Sequence, residues 1–144
     1  MGEEPGERLT EDDRRKFLSK IRSTLFWVGR KIPRVEMIDG ERVHLQDVVY
    51  RYIANDSPTE EEVKGAFSLA MRLQCKVDEI ESRIRHEELS LEEGKGLLDH
   101  ILGLMRAIDE LKKRSGRSSE LKIQALVCKV DDERRWLDFV RSVK

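Results

Sequence analysis

The stretch "SPTEEEVKGAFSLAMRLQCKVDEIESRIRHEELSLEEGKGLLDHILGLMRAIDELKKR", residues 57–114, decides the fold. Val63, Phe67, Ala70, Leu73, Val77, Ile80 and Ile84 step by fours and threes, which lays one narrow apolar stripe along an α-helix. Ser57 with Glu60 and Thr59 with Glu62 are overlapping capping boxes at its start, and Pro58 suits a first helical position. At ~1.5 Å rise per residue the helix is on the order of 45 Å long.

"HEELSLEEG", residues 86–94, interrupts the stripe, and Ser90 with Glu93 opens another capping box. Leu97, Leu98, Ile101, Leu104, Met105, Ile108 and Leu111 form a second stripe. So short a link predicts a long antiparallel helical hairpin, residues 58–88 and 91–114, that supplies the main core. Gly94 and Gly96 each cost about 1 kcal/mol relative to Ala inside a helix. Close approach of a neighbour is the structural reason for keeping them, and a hinge the functional one.

Upstream, "LFWVGRKIPRVEMIDGERVHLQDVVYRYI", residues 25–53, collects aromatics, Pro and Gly. Before it, Thr10 precedes three acids, and Phe17, Leu18, Ile21, Leu25 and Val28 recur at helical spacing, predicting a first helix that Gly29 and Pro33 end. "VEMI" and "RVHL" then flank "DGE", and Asp-Gly between short apolar runs predicts a β-hairpin at about residues 35–45. Val48, Val49, Tyr52 and Ile53 resume a helix. The hairpin is therefore a corner inserted between helices, without strands enough for a larger sheet.

At the far end, "KKRSGRSS", residues 112–119, closes the second long helix with cations and a loop. "LKIQALV", residues 121–127, alternates like a strand, yet Ile123, Leu126, Val127, Val130, Leu137 and Val140 also fit one helical face, and helix is favoured for want of a partner strand. The fold class is mainly α: a bundle of about five helices with one hairpin. Residues 1–9 are expected as a disordered tail and 10–144 as one domain, within the size of a single core.

Charged residues are 40% of the 144, with one Asn and three Gln, a balance shared by ion-pair-rich thermophile proteins and by densely helical surfaces. No apolar run spans a bilayer and no apolar signal segment follows Met1, so a cytoplasmic protein without a membrane partner is expected. Cys75 and Cys128 lack a CxxC or Cys/His neighbour and are expected as buried reduced thiols. His44, His86 and His100 lack helical metal-pair spacing, and phosphate loops and nucleophile motifs are missing too. No catalytic residue, metal ligand, cofactor or small-molecule substrate is assigned.

Three function classes stay open. Leu25, Phe26 and Trp27 are consecutive large apolar residues that a helix cannot all turn inward. Phe26 and Trp27, with Tyr50 and Tyr52 at the rim, are thus candidates for a partner surface, as is the stripe on residues 63–84, either one for a dimer or for a different protein. Residues 14–34 carry eight Lys and Arg without an acid, whereas residues 56–93 carry eleven acids against five Lys and Arg. Arg14, Arg15, Lys16, Arg22, Arg30, Lys31 and Arg34, with Lys112, Lys113 and Arg114, are therefore candidate nucleic-acid contacts, unless the acidic surface neutralises them internally. A metal-dependent nucleotide hydrolase would need acids one turn apart on facing helices; Asp78 with Glu81, and Glu92 with Glu93, come nearest.

The run "LFWVGRKIP", the strand pair "VEMIDGERVHL" and "VVYRYI" resemble a family of small, mostly helical archaeal proteins of unknown function, over about residues 15–112. The resemblance implies the helix end, Ile-Pro, hairpin and acid-capped helical pair, and no activity. A non-enzymatic, scaffold- or adaptor-like interaction protein is the leading expectation.

Overall fold

In the computed structural model, which describes residues 8–23, 27, 29–113 and 135–142, the long helix starts at Thr59. The Thr59 hydroxyl accepts from the Glu62 N–H at 3.0 Å, and the Glu62 carboxylate accepts from the Thr59 N–H at 2.8 Å. Ser57 is not the cap. Its N–H donates to the Asn55 side chain at 3.0 Å in a local turn, which leaves Ser57 and Pro58 outside the helix.

Along the chain run α1 (Glu11–Ile21), β1 (Glu36–Ile38), β2 (Glu41–Val43), α2 (Leu45–Ala54), α3 (Glu60–His86), α4 (Leu91–Lys112) and α5 (Arg135–Ser142). The described residues thus form five helices and one antiparallel hairpin, as the periodicity predicts. α3 and α4 are the expected helical hairpin, turned at residues 87–90 by the Ser90–Glu93 box. Phe67, Ala70, Leu73, Val77, Ile80 and Ile84 are all buried, and so are Leu98, Ile101, Leu104, Ile108 and Leu111 opposite them.

The stripe on residues 63–84 is not a free surface for a second copy. Ala66, Leu69 and Met71 are buried as well, because α3 packs on α4 along one side and on α5 along another. Trp136, Leu137 and Phe139 of α5 seal that second side. Gly65 of α3 lets α5 come so close that a Cβ there would fall on the Phe139 side chain. The apolar face is spent within one chain.

α1 is shorter than predicted. Its start is the Thr10–Asp13 capping box, but its last turn tightens into i−3 bonds, Arg22 N–H to Ser19 O at 3.2 Å and Ser23 N–H to Lys20 O at 3.1 Å, and it stops at Ile21. That end lies well before Gly29 and Pro33, the stop that the sequence predicts. The chain is held from Arg8 onward: Leu9 is buried and its N–H donates to Leu89 O at 2.9 Å. A Cβ on Gly94 would sit 2.9 Å from Leu9 Cδ1, so close approach explains that glycine, whereas Gly96 faces open space. Of the tail expected over residues 1–9, residues 1–7 lie outside the described residues, as does the helix-or-strand choice at residues 120–130.

Cys75 overturns an expectation. It is half-buried on α3 and disulfide-bonded rather than a reduced thiol. The chain's other cysteine, Cys128, lies outside the described residues. Cysteine spacing reads out CxxC chemistry but not pairing set by tertiary proximity.

Candidate interaction surface

The hairpin's geometry follows from two residues. Asp39 and Gly40 both take left-handed backbone angles, φ 50° and 81°, in the two-residue turn that suits the twist of paired strands. Glu36 pairs with Val43, Met37 with Arg42 and Ile38 with Glu41. Alternation then sends Ile38, Val43 and Glu36 inward, and Met37 and Arg42 outward.

An inward carboxylate needs partners, and Glu36 has two. Its Oε1 accepts from His100 Nε2 of α4 at 2.8 Å, and its Oε2 from Lys76 Nζ of α3 at 2.5 Å. Burial pushes its carboxyl up, but the hydrogen bonds from His100 and Lys76 outweigh that and hold the pKa below the usual carboxylate range. Lys76 also donates to Met37 O at 2.5 Å, and Arg72 of α3 reaches Asp39 of the turn at 3.2 Å. Polar bonds from both long helices therefore fix the hairpin on its inner side. Sequence reasoning passed over Glu36, although its strand register with Ile38 and Val43 was a usable signal.

The outer side is different. Among the described residues the large apolar side chains that stand exposed are Val35, Met37, Tyr50 and Ile53, all on the hairpin and α2. A cavity of about 510 Å³ opens between the hairpin and α2, with Val35 and Tyr50 on its walls beside Arg34, Arg42 and His44. His44 caps α2 without a side-chain hydrogen bond. Gln46 fastens the preceding loop to the site by donating to Ile32 O at 3.1 Å.

Of the candidate partner residues, Tyr50 belongs to this surface. Tyr52 does not: it is buried, its ring edge-on to Phe139 at 5.3 Å and 89°. Val48, Val49 and Tyr52 form the inward face of α2, and Tyr50 lies two residues away on the opposite side. Trp27 is half-buried against the core, and Phe26 lies outside the described residues.

The candidate nucleic-acid contacts are dispersed. Arg14 donates to the carbonyls of Ile84 and, at 2.7 Å, Glu87. Arg15 and Lys16 both pair with Asp12 at 3.2 Å, Arg22 with Glu81 at 3.4 Å and Arg30 with Asp99 at 3.0 Å. Lys113 meets Glu110 at 3.4 Å, while burial pulls the Lys112 ammonium below its usual range against the opposing effect of Asp109. Lys31 is exposed, Arg34 joins the cavity, and Arg114 lies outside the described residues.

Of the carboxylates considered for a hydrolase, Asp78, Glu81 and Glu93 have structural partners, while Glu92 is exposed. Glu81 takes Arg22 and Arg85, Asp78 accepts from Gln74 at 3.1 Å, and Glu93 completes the cap of α4. Among the described residues, no three of His, Cys, Asp and Glu converge as metal ligands, and no helix is long and apolar enough to cross a membrane.

A family of unknown function, DUF5788, matches residues 9–141. The chain belongs to that family. No curated protein and no solved structure matches it. The DUF5788 match begins at buried Leu9 and ends on α5, so the final helix belongs to the family's extent, beyond the residues 15–112 that carry the sequence resemblance.

Proposed function

We propose that this DUF5788 chain is a non-enzymatic interaction protein, scaffold- or adaptor-like, whose docking face is the β-hairpin with α2. One observation carries it: the exposed large apolar side chains of the described residues all fall within residues 35–53, on a unit fixed from behind by Glu36, His100 and Lys76. A rigid backing with an apolar front is what an interface needs, since ordering costs are met before binding.

The occupant is a different protein, not a second copy. A twofold pairing through this face would gather Arg34 and Arg42 of both copies into one interface, a concentration of like charge that an acidic partner avoids. Nucleic-acid binding through the first helix has less support, because most of its cations are already engaged by carboxylates or carbonyls. In this proposal the chain works in the cytoplasm without cofactor or small-molecule substrate. A Cys75 disulfide fits that setting in the hyperthermophile case, where intracellular disulfides occur.

The test pairs the full chain with a Met37→Asp/Tyr50→Asp double variant as baits in lysate of the source cells. A protein held by the first and not the second, and then shown to bind the purified chain one-to-one, supports the proposal. Equal retention by both baits, or a wild-type dimer in sedimentation that the double variant abolishes, overturns it.

A further inference from the structure

Among the described residues, ten arginines pair with Asp or Glu: Arg8, Arg14, Arg15, Arg22 and Arg30 in the first part of the chain, and Arg51, Arg72, Arg83, Arg85 and Arg106 after it. Among the described residues the side chains of Arg34 and Arg42, with that of Arg141 on α5, form no hydrogen bond or ion pair. Lys31 and Lys95, both exposed, share that state. Arg34 and Arg42 are also not apart: both line the one 510 Å³ cavity, together with His44, Val35 and Tyr50.

Resting on the interaction proposal above, we infer that this cavity binds an acidic, apolar-anchored segment of the partner protein, with carboxylates on Arg34 and Arg42 and an apolar side chain between Val35 and Tyr50. Each guanidinium presents a planar fork that matches a carboxylate in bidentate fashion, and both forks stand unoccupied. Tyr50 supplies the amphipathic ring that interface anchors favour. A volume of about 510 Å³ holds a few side chains, within the roughly 300–1,000 Å³ of ordinary ligand clefts.

A nucleic-acid strand fits less well. Phosphate-backbone binding draws its affinity from many neutralised phosphates along a basic track. Here the cavity offers two unpaired arginines, and its wall includes Asp47, whose carboxylate faces Arg51 at 3.3 Å. Two cations beside apolar walls select one or two carboxylates with an adjoining greasy residue.

The experiment is fluorescence anisotropy with the full chain and four labelled probes. These are a twelve-residue peptide alternating Asp/Glu with Leu/Phe, its Asn/Gln counterpart, its counterpart with Leu/Phe changed to Ala, and a single-stranded DNA 20-mer. Saturable binding of the first peptide is expected, at least tenfold tighter than either counterpart, and lost in an Arg34→Glu/Arg42→Glu variant whose circular dichroism and melting temperature match wild type. Equal binding of the Asn/Gln peptide, full binding by the charge-reversed variant, no binding of any peptide, or tighter binding of DNA would each overturn the inference. Failure here alongside a partner captured through Met37 and Tyr50 removes the acidic chemistry and leaves the docking face standing.

Discussion

His100 Nε2 on α4 donates to Glu36 Oε1 on β1 at 2.8 Å, joining two residues 64 apart in the chain, while Lys76 on α3 holds the other carboxylate oxygen. The Glu36 side chain is only 4% exposed, so its charge is tolerated because both neighbours answer it. Lys76→Met leaves that carboxylate short of a partner and is expected to cost about 3 kcal/mol. Adding Glu36→Gln removes the uncompensated charge, so the double variant should recover part of the loss. Urea midpoints check both; equal destabilisation by the single and double variants would show that the charge is not what Lys76 answers.

The same carboxylate makes stability depend on pH. Its folded pKa is depressed, so its contribution is complete above the unfolded Glu value of about 4.3 and is lost as pH falls through the lower folded value. The gap in stability between wild type and Glu36→Gln should therefore be widest near neutral pH and shrink progressively as pH drops below ~4. Asp13, whose carboxyl is also lowered by hydrogen bonds from Thr10, is common to both proteins and cancels in the difference. A gap that grows on acidification contradicts the geometry.

Gly65 and Gly96 make opposite predictions for one substitution. Gly65→Ala drives a methyl group into Phe139 and should destabilise by about 2 kcal/mol, as overpacking does. Gly96→Ala meets nothing within 4 Å on an exposed turn of α4 and should stabilise by about 1 kcal/mol through helix propensity. Thermal melting distinguishes them. Destabilisation by Gly96→Ala would point to a hinge that the packing does not reveal.

The parts of this fold legible in the sequence are those written in local spacing. The stripes of α3 and α4, the Ser90–Glu93 box and the Asp39–Gly40 turn each need only a few neighbouring residues to specify them. The second buried face of α3 was only partly legible, because Leu69 and Met71 mark it but Gly65, Ala66 and Ser68, also buried, are small residues that give a weak hydrophobic signal. Tyr50 and Tyr52 stand together in sequence but face opposite ways, which the stripe of Val48, Val49 and Tyr52 could have decided. The Glu36 clamp joins distant segments and the cavity of Arg34 and Arg42 depends on which cations are left over, and local periodicity is blind to both.

The reach of the domain turns on α5, and Trp136 tests it. Its ring is fully buried against the α3 side of the core, while Trp27, the chain's other tryptophan, is half-buried. A Trp27→Phe variant leaves Trp136 as the sole reporter, and its emission should be blue-shifted, resistant to iodide, and lost in one transition with the helical circular dichroism. In the wild-type background Trp136→Ala should cost about 4 kcal/mol through the cavity it leaves, since α3 would keep its face shaped for an absent ring. Red-shifted, freely quenched emission from folded Trp27→Phe would detach α5 from the core and leave the domain, among the described residues, to α1–α4 and the hairpin.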